Sequence, residues 1–172
     1  IVMLTAYDYP LAVLLDKAGV DIILVGDSLA NVALGLDSTT QVGMEVMLHH
    51  VRAVLRGVRR APVVADMPFD AYQPAGVDAV MNARCFIEAG CAAVKVEWFD
   101  RCLEVVGMLI KAGVAVIGHA GLTPQTAGES VDLRASLAAT GPSAVSAGAE
   151  TVQLTRQRPR RNGVSGEPGG EG

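Results

Sequence analysis

Three acidic residues, Asp27, Asp66 and Glu97, each stand directly after a short apolar run, and Lys95 sits inside the last of those runs. If the runs are parallel strands of one sheet, all three carboxylates arrive at one rim. Converging carboxylates repel one another unless a cation neutralises them. Hard oxygen donors of this kind suit Mg²⁺, which keeps waters and shares its remaining positions with substrate oxygens. The competing reading is that each carboxylate only caps the helix that follows it. On a strand Lys95 and Glu97 point to the same side as Ala93, while Ala92, Val94 and Val96 point to the other. A buried lysine is rare without a partner. Here it either neutralises a substrate carboxylate or forms a structural ion pair with Glu97. His119 ends a further apolar run and opens the segment His119-Ala120-Gly121-Leu122-Thr123-Pro124-Gln125. It either reaches a substrate from a tight loop or is a packed structural histidine. His49 and His50, inside a helical stretch, read as surface or packing residues. Trp98 and Phe99 either wall the site or only pack beside it.

The elements that must position these groups are legible as alternating periods. Apolar, β-branched runs at Ile1–Leu4, Asp21–Gly26, Ala61–Ala65, Cys91–Val96 and Val114–Gly118 predict five strands. Apolar stripes at helical spacing predict helices over Tyr9–Ala18, Gly43–Val58, Gly76–Ala89 and Leu103–Ala112, with Gly19, Gly90 and Gly113 as stops. Strands alternating with helices pair in parallel through right-handed crossovers. Two α/β architectures follow, an open doubly wound sheet or part of a (β/α)₈ barrel. No GxGxxG occurs, which weakens the dinucleotide-binding version of the first. In both, the carboxyl ends of the strands carry the ligand site.

Composition limits the alternatives. The chain has 172 residues, 51% of them hydrophobic and only 4% aromatic, so Ala, Val, Leu and Gly fill the core of one domain. A net charge of −4 argues against nucleic acid as a partner. Arg52, Arg56, Arg59 and Arg60 read as one exposed helix face. Cys85, Cys91 and Cys102 lack CxxC spacing and are expected to be reduced thiols of a cytoplasmic protein. No apolar stretch approaches a membrane span, and the start does not read as a signal peptide. A chain that opens at Ile1 within a strand is expected to be a piece of a longer protein. Three regions are expected: a partial barrel with the metal site over 1–126, a divergent, weakly helical segment over 127–155, and a disordered tail over 156–172. In the tail Val164 is the one aliphatic residue.

Several of these residues also form motifs. Leu4-Thr5-Ala6-Tyr7-Asp8-Tyr9, Val25-Gly26-Asp27-Ser28-Leu29, Asp37-Ser38-Thr39, Ala65-Asp66-Met67-Pro68-Phe69, Val94-Lys95-Val96-Glu97 and Gly118 to Gln125 occur in this order. In order and spacing the set resembles the ketopantoate hydroxymethyltransferase family over residues 1 to about 126. The resemblance implies a Mg²⁺-dependent (β/α)₈ barrel of the phosphoenolpyruvate/pyruvate superfamily, here with about five βα units. It also implies a reaction: a one-carbon unit passes from 5,10-methylenetetrahydrofolate to 3-methyl-2-oxobutanoate, giving 2-dehydropantoate in pantothenate synthesis. The positions matching Asp27, Asp66 and Glu97 hold Mg²⁺, those matching Asp27, Ser28, Asp66 and Lys95 hold the ketoacid, and His119 matches an active-site histidine in a supporting role. The intact family enzyme is expected to be a homo-oligomer.

The chain also departs from the family pattern. The family's general base is a glutamate ending the sixth strand, and Ala147–Leu154 aligns so that Thr155 falls there. A threonine cannot take a C–H proton at neutral pH. Trp98-Phe99 replaces a Gly-Gly pair, Leu36 replaces a histidine, and strands seven and eight have no counterpart. A truncated gene or a shortened, non-catalytic ketoacid-binding paralogue would both give this pattern. A Mg²⁺-dependent lyase or mutase of the same superfamily is the other enzymatic reading, although the Lys-Lys-Cys-Gly-His-type loop of its lyases is missing.

Overall fold

The computed structural model describes residues 1–121 and 123–127. The expectations for Leu122, Thr155, most of 127–155 and the 156–172 tail fall outside the described residues. Five strands form one parallel sheet: β1 (Met3–Thr5), β2 (Ile22–Val25), β3 (Val63–Asp66), β4 (Ala93–Glu97) and β5 (Val116–His119). Between and after them run α1 (Tyr9–Ala18), α2 (Leu29–Val32), α3 (Met44–Gly57), α4 (Ala79–Ala89), α5 (Cys102–Lys111) and α6 (Pro124–Ala127). Single 3₁₀ turns sit at Thr39–Gln41 and Phe69–Ala71.

The strand order β1-β2-β3-β4-β5 decides between the two architectures. A doubly wound sheet reverses its order at a switch point. Here each strand adds beside the previous one, so right-handed crossovers put every long helix on the same side. That is the arrangement of five consecutive units of a (β/α) barrel.

Paired residues share a side, so the register defines the two faces. Ile23 pairs Val63, Val25 pairs Ala65, which pairs Val94, and Val94 pairs Val116. Apart from the partly exposed Val116, these are buried against Ala12, Met47, Val51, Val54, Phe86 and Leu109 in one core. The opposite face carries Leu24, Val64 and Ala93, then Asp66, Lys95 and Ile117, then Glu97 and His119.

Each of the last three strands ends one residue later than its apolar run, because Asp66, Glu97 and His119 join the sheet themselves. Helix α4 starts at Ala79, not Gly76. Asp78 accepts from the Met81 N–H at 2.9 Å, and Gly76 has a left-handed φ of 82°. Gly19, Gly90 and Gly113 all have positive φ at the predicted stops. The arginine cluster needs correcting. Arg52 and Arg56 lie exposed on α3, but the helix ends at Gly57. Arg59 and Arg60 fall in the following loop, where their backbone N–H groups donate to Asp16.

Asp16 is a buried carboxylate that holds this loop. It accepts from Ala61 N at 2.8 Å, Arg60 N at 3.1 Å and Arg59 N at 2.9 Å. The Ala61 bond leads the causes that hold its pKa below the ordinary 3.8, against an opposing push from burial. Its contribution is therefore complete above pH 3.8 and is lost as pH falls further towards the depressed folded value. Asp16→Ala should cost about 2–3 kcal/mol in urea unfolding near pH 7, because it strands the buried Ala61 N–H. Its acid limb should be flatter than that of the parent.

Candidate active site

Asp66, Glu97 and His119 are the last residues of β3, β4 and β5, and Asp27 follows β2 after a single glycine. Parallel strands thus deliver all four to the carboxyl-end rim. Asp27, Asp66 and Glu97 are 5%, 4% and 4% exposed. None of them caps the next helix. Ser28 precedes α2 without a side-chain cap bond, Pro68 precedes the 3₁₀ turn, and Arg101 precedes α5. The carboxylates point into the site instead.

There they meet specific partners. The Asp27 N–H donates to Asp66 Oδ2 at 3.2 Å, and Lys95 Nζ donates to Asp66 Oδ1 at 2.5 Å. The lysine therefore pairs with Asp66 rather than with Glu97. Glu97 Oε1 lies 3.1 Å from His119 Nδ1. Ser28 Oγ and the Tyr7 hydroxyl are 2.8 Å apart. Gly26 is needed for space: a Cβ there would lie 3.0 Å from Ser28 Oγ and 3.4 Å from both Asp66 Oδ2 and Thr5 Cγ2.

Burial, followed by the charge of Asp66, raises the Asp27 pKa from 3.8 to about 6. Burial also raises that of Asp66, against the pull of Lys95. Folding has therefore concentrated carboxylate charge where ionisation is expensive, which is the condition a bound cation relieves. Among the described residues no three carboxyl, imidazole or thiol groups form a ready-made metal cage. Mg²⁺ needs no such cage: it commonly takes one or two carboxylates and completes its octahedron with waters and substrate oxygens. The hard-oxygen donor set fits the ion.

Two residues at the centre of the site were not singled out from the sequence. Gln125 is 5% exposed, and its side-chain amide donates to Asp27 Oδ2 at 2.7 Å and to Met67 O at 3.0 Å. Its backbone N–H donates to Glu97 Oε2 at 3.0 Å. Tyr72, 2% exposed, bonds through its hydroxyl to Gln125 Oε1 at 2.5 Å and accepts from Glu97 N at 3.0 Å. Gln125 lay within a quoted motif, whereas a lone tyrosine after the 3₁₀ turn carried no signal. Phe99 packs edge-on against Tyr72, with ring centroids 5.4 Å apart, and Trp98 is half exposed. His50 Nδ1 lies 2.6 Å from Tyr7 O and His49 is exposed, in line with packing and surface roles. Cys85, Cys91 and Cys102 are unpaired. No helix among the described residues is long and apolar enough to cross a membrane.

The sheet order and the acidic rim define a (β/α)-barrel protein. The fold is shared with 2,3-dimethylmalate lyase, a PEP mutase/isocitrate lyase superfamily member, at TM-score 0.56 and 17% identity over 69% of this chain and 47% of that one. It is shared also with phosphonopyruvate hydrolase, solved with oxalate and Mg²⁺, at TM-score 0.54 and 19% identity over 67% and 46%. Within that fold the chain belongs to the ketopantoate hydroxymethyltransferase family, whose model matches residues 1–151. The 3-methyl-2-oxobutanoate hydroxymethyltransferase of Acetivibrio thermocellus is 57% identical over 127 residues, which is 73% of this chain and 45% of the relative. The chain thus spans about half the length of the curated relatives it matches.

Proposed function

We propose that this chain carries the Mg²⁺- and ketoacid-binding part of a 3-methyl-2-oxobutanoate hydroxymethyltransferase. That enzyme transfers a hydroxymethyl group from 5,10-methylenetetrahydrofolate to 3-methyl-2-oxobutanoate, giving 2-dehydropantoate on the route to pantothenate. One observation carries the reading. In a chain of this family, Asp27, Ser28, Asp66, Lys95 and Glu97, drawn from three βα units, meet at one rim of the sheet.

Asp27, Asp66 and Glu97 would hold Mg²⁺. When bound, the ion supplies Lewis-acid polarisation of the substrate's keto group, which acidifies the neighbouring carbon. Lys95 offers its ammonium to the substrate carboxylate. Tyr7 and Ser28 share one hydrogen bond between two hydroxyls, so one hydroxyl proton remains to orient a substrate oxygen. His119 is held by Glu97 and supports the site. The same fold occurs in phosphonopyruvate hydrolase, solved with oxalate and Mg²⁺, a metal and an oxoacid-like ligand of the class proposed here. Cytoplasmic location, homo-oligomeric assembly of the intact enzyme, and independence from nucleic acid and membranes belong to the same proposal.

The general base is the missing part. The residue aligned with it, Thr155, lies outside the described residues, and a hydroxyl is too weak a base for a C–H proton. The chain alone should therefore bind without turnover. Calorimetry should detect Mg²⁺ and Mg²⁺-dependent binding of 3-methyl-2-oxobutanoate. Proton NMR in D₂O should find no exchange at C3 and no consumption of methylenetetrahydrofolate. Failure to bind either ligand sinks the proposal, and C3 exchange would show that a base is present after all. Cleavage of methylisocitrate or oxaloacetate would select the lyase alternative.

A further inference from the structure

The side-chain amide and the backbone N–H of Gln125 are all committed to partners. Met67 O can only accept, so the side-chain nitrogen must face it and Asp27 Oδ2, leaving Oε1 for the donors. Those donors are the Tyr72 hydroxyl and Gln73 Nε2, the latter at 2.7 Å. Tyr72 accepts from Glu97 N and from Gln73 Nε2 at 2.8 Å, so its single proton is directed at Gln125. One residue of α6 thereby touches two carboxylates from different βα units: Asp27 through its side chain, and Glu97 through its backbone N–H.

From this geometry we infer that Gln125 is a positioning residue, oriented by Tyr72, which sets the direction in which Asp27 and Glu97 present their oxygens to the cation. The inference rests on the reading of Asp27, Asp66 and Glu97 as the magnesium set and adds the partners that aim them. Ligating carboxylates need such hydrogen-bonded support, and its loss typically weakens metal affinity about 10- to 100-fold. Gln125 acts on the ligands and needs no contact with the ion.

The test is calorimetric titration of Mg²⁺ alone into the full chain and its variants, with thermal unfolding measured in parallel. Q125A is expected to raise the Mg²⁺ Kd by about 10- to 100-fold. Y72F keeps the ring against Phe99 and removes the hydroxyl, and with it both the proton donated to Gln125 and the acceptor for Glu97 N and Gln73 Nε2. It should raise Kd by about fivefold, one hydrogen bond's worth. Because the Tyr72 proton acts through Gln125 while its oxygen also holds Glu97 N, the double variant should fall well short of the summed single effects. A purely structural role would lower the melting temperature in both variants and leave the Kd of the folded protein unchanged, which overturns the inference. Additive effects overturn the relay from Tyr72. If Q125A does not fold, an unchanged Kd in Y72F decides against the inference. If the parent chain binds no Mg²⁺, the magnesium reading itself falls and this inference falls with it.

Discussion

Replacing Asp27 by Asn is expected to abolish Mg²⁺ binding and, at the same time, to stabilise the metal-free chain. The two effects have one cause. Burial and the neighbouring Asp66 charge raise the Asp27 pKa from 3.8 to about 6, so at neutral pH the folded state carries an ionised carboxylate in an unfavourable place. Asn is nearly isosteric, and its Oδ1 can still accept from Gln125 Nε2. The variant removes the charge and keeps the contact. A shift of this size corresponds to a gain of about 3 kcal/mol, and so to a melting temperature several degrees higher.

The pH dependence has a definite sign. The folded pKa is the higher one, so the cost of Asp27 is absent below pH 3.8. It grows as pH rises through about 6, and the parent loses stability over that window relative to the variant. Metal binding needs the deprotonated form, so Mg²⁺ affinity should climb over the same window and level off above it. Thermal melts of both proteins from pH 4 to 8, with and without Mg²⁺, measure all of this. A variant less stable than its parent at pH 7, or one that still binds Mg²⁺, would refute the account.

Lys95→Ala should have the second-largest effect, and here stability and binding fall together. Lys95 is the cation paired with Asp66 among the described residues, and the two side chains are only 16% and 6% exposed. Removing it leaves a buried carboxylate without its partner, which costs about 3–5 kcal/mol. The Asp66 pKa, already raised by burial, loses the charge that opposes the rise, so Mg²⁺ binding should shift to higher pH. The ketoacid should lose a charged hydrogen bond, and its affinity should drop about 10- to 100-fold. Lys95→Met keeps most of the stem and should share the binding loss, which separates charge from packing. Unchanged ketoacid affinity in both variants would remove Lys95 from the site.

The chemistry-bearing positions were legible because each marks a break in a pattern. Asp27, Asp66, Glu97 and His119 interrupt or follow apolar runs, and Lys95 is a charge inside one. The long helices were legible as well, since a stripe at 3.6-residue spacing repeats often enough to be seen. Shorter pieces were not: α2, α6 and the two 3₁₀ turns span three or four residues, too few for any period. Their residues are set by contacts from elsewhere. Arg59 and Arg60 are a related case. Their spacing continued the helix, but the chain leaves α3 at Gly57, where a Cβ would meet Tyr9 O at 2.8 Å and Ala12 Cβ at 3.0 Å.

Local order along the chain therefore sufficed for the alternation of strands and helices, for the side to which Lys95 and Glu97 point together, and for the family motifs. These depend on neighbours two to four positions away. Three matters needed the folded molecule. The choice of barrel over doubly wound sheet turns on which edge each new strand joins, and right-handed crossovers permit either. The partner of Lys95 is Asp66, 29 positions earlier, rather than Glu97 two positions later. Parallel pairing places β3 beside β4, whereas alternation along one strand only sets two charges side by side. Finally, Gln125 bonds Asp27 across 98 positions. A buried amide cannot leave its hydrogen bonds unmade, but nothing near it in the chain indicates which groups will satisfy them.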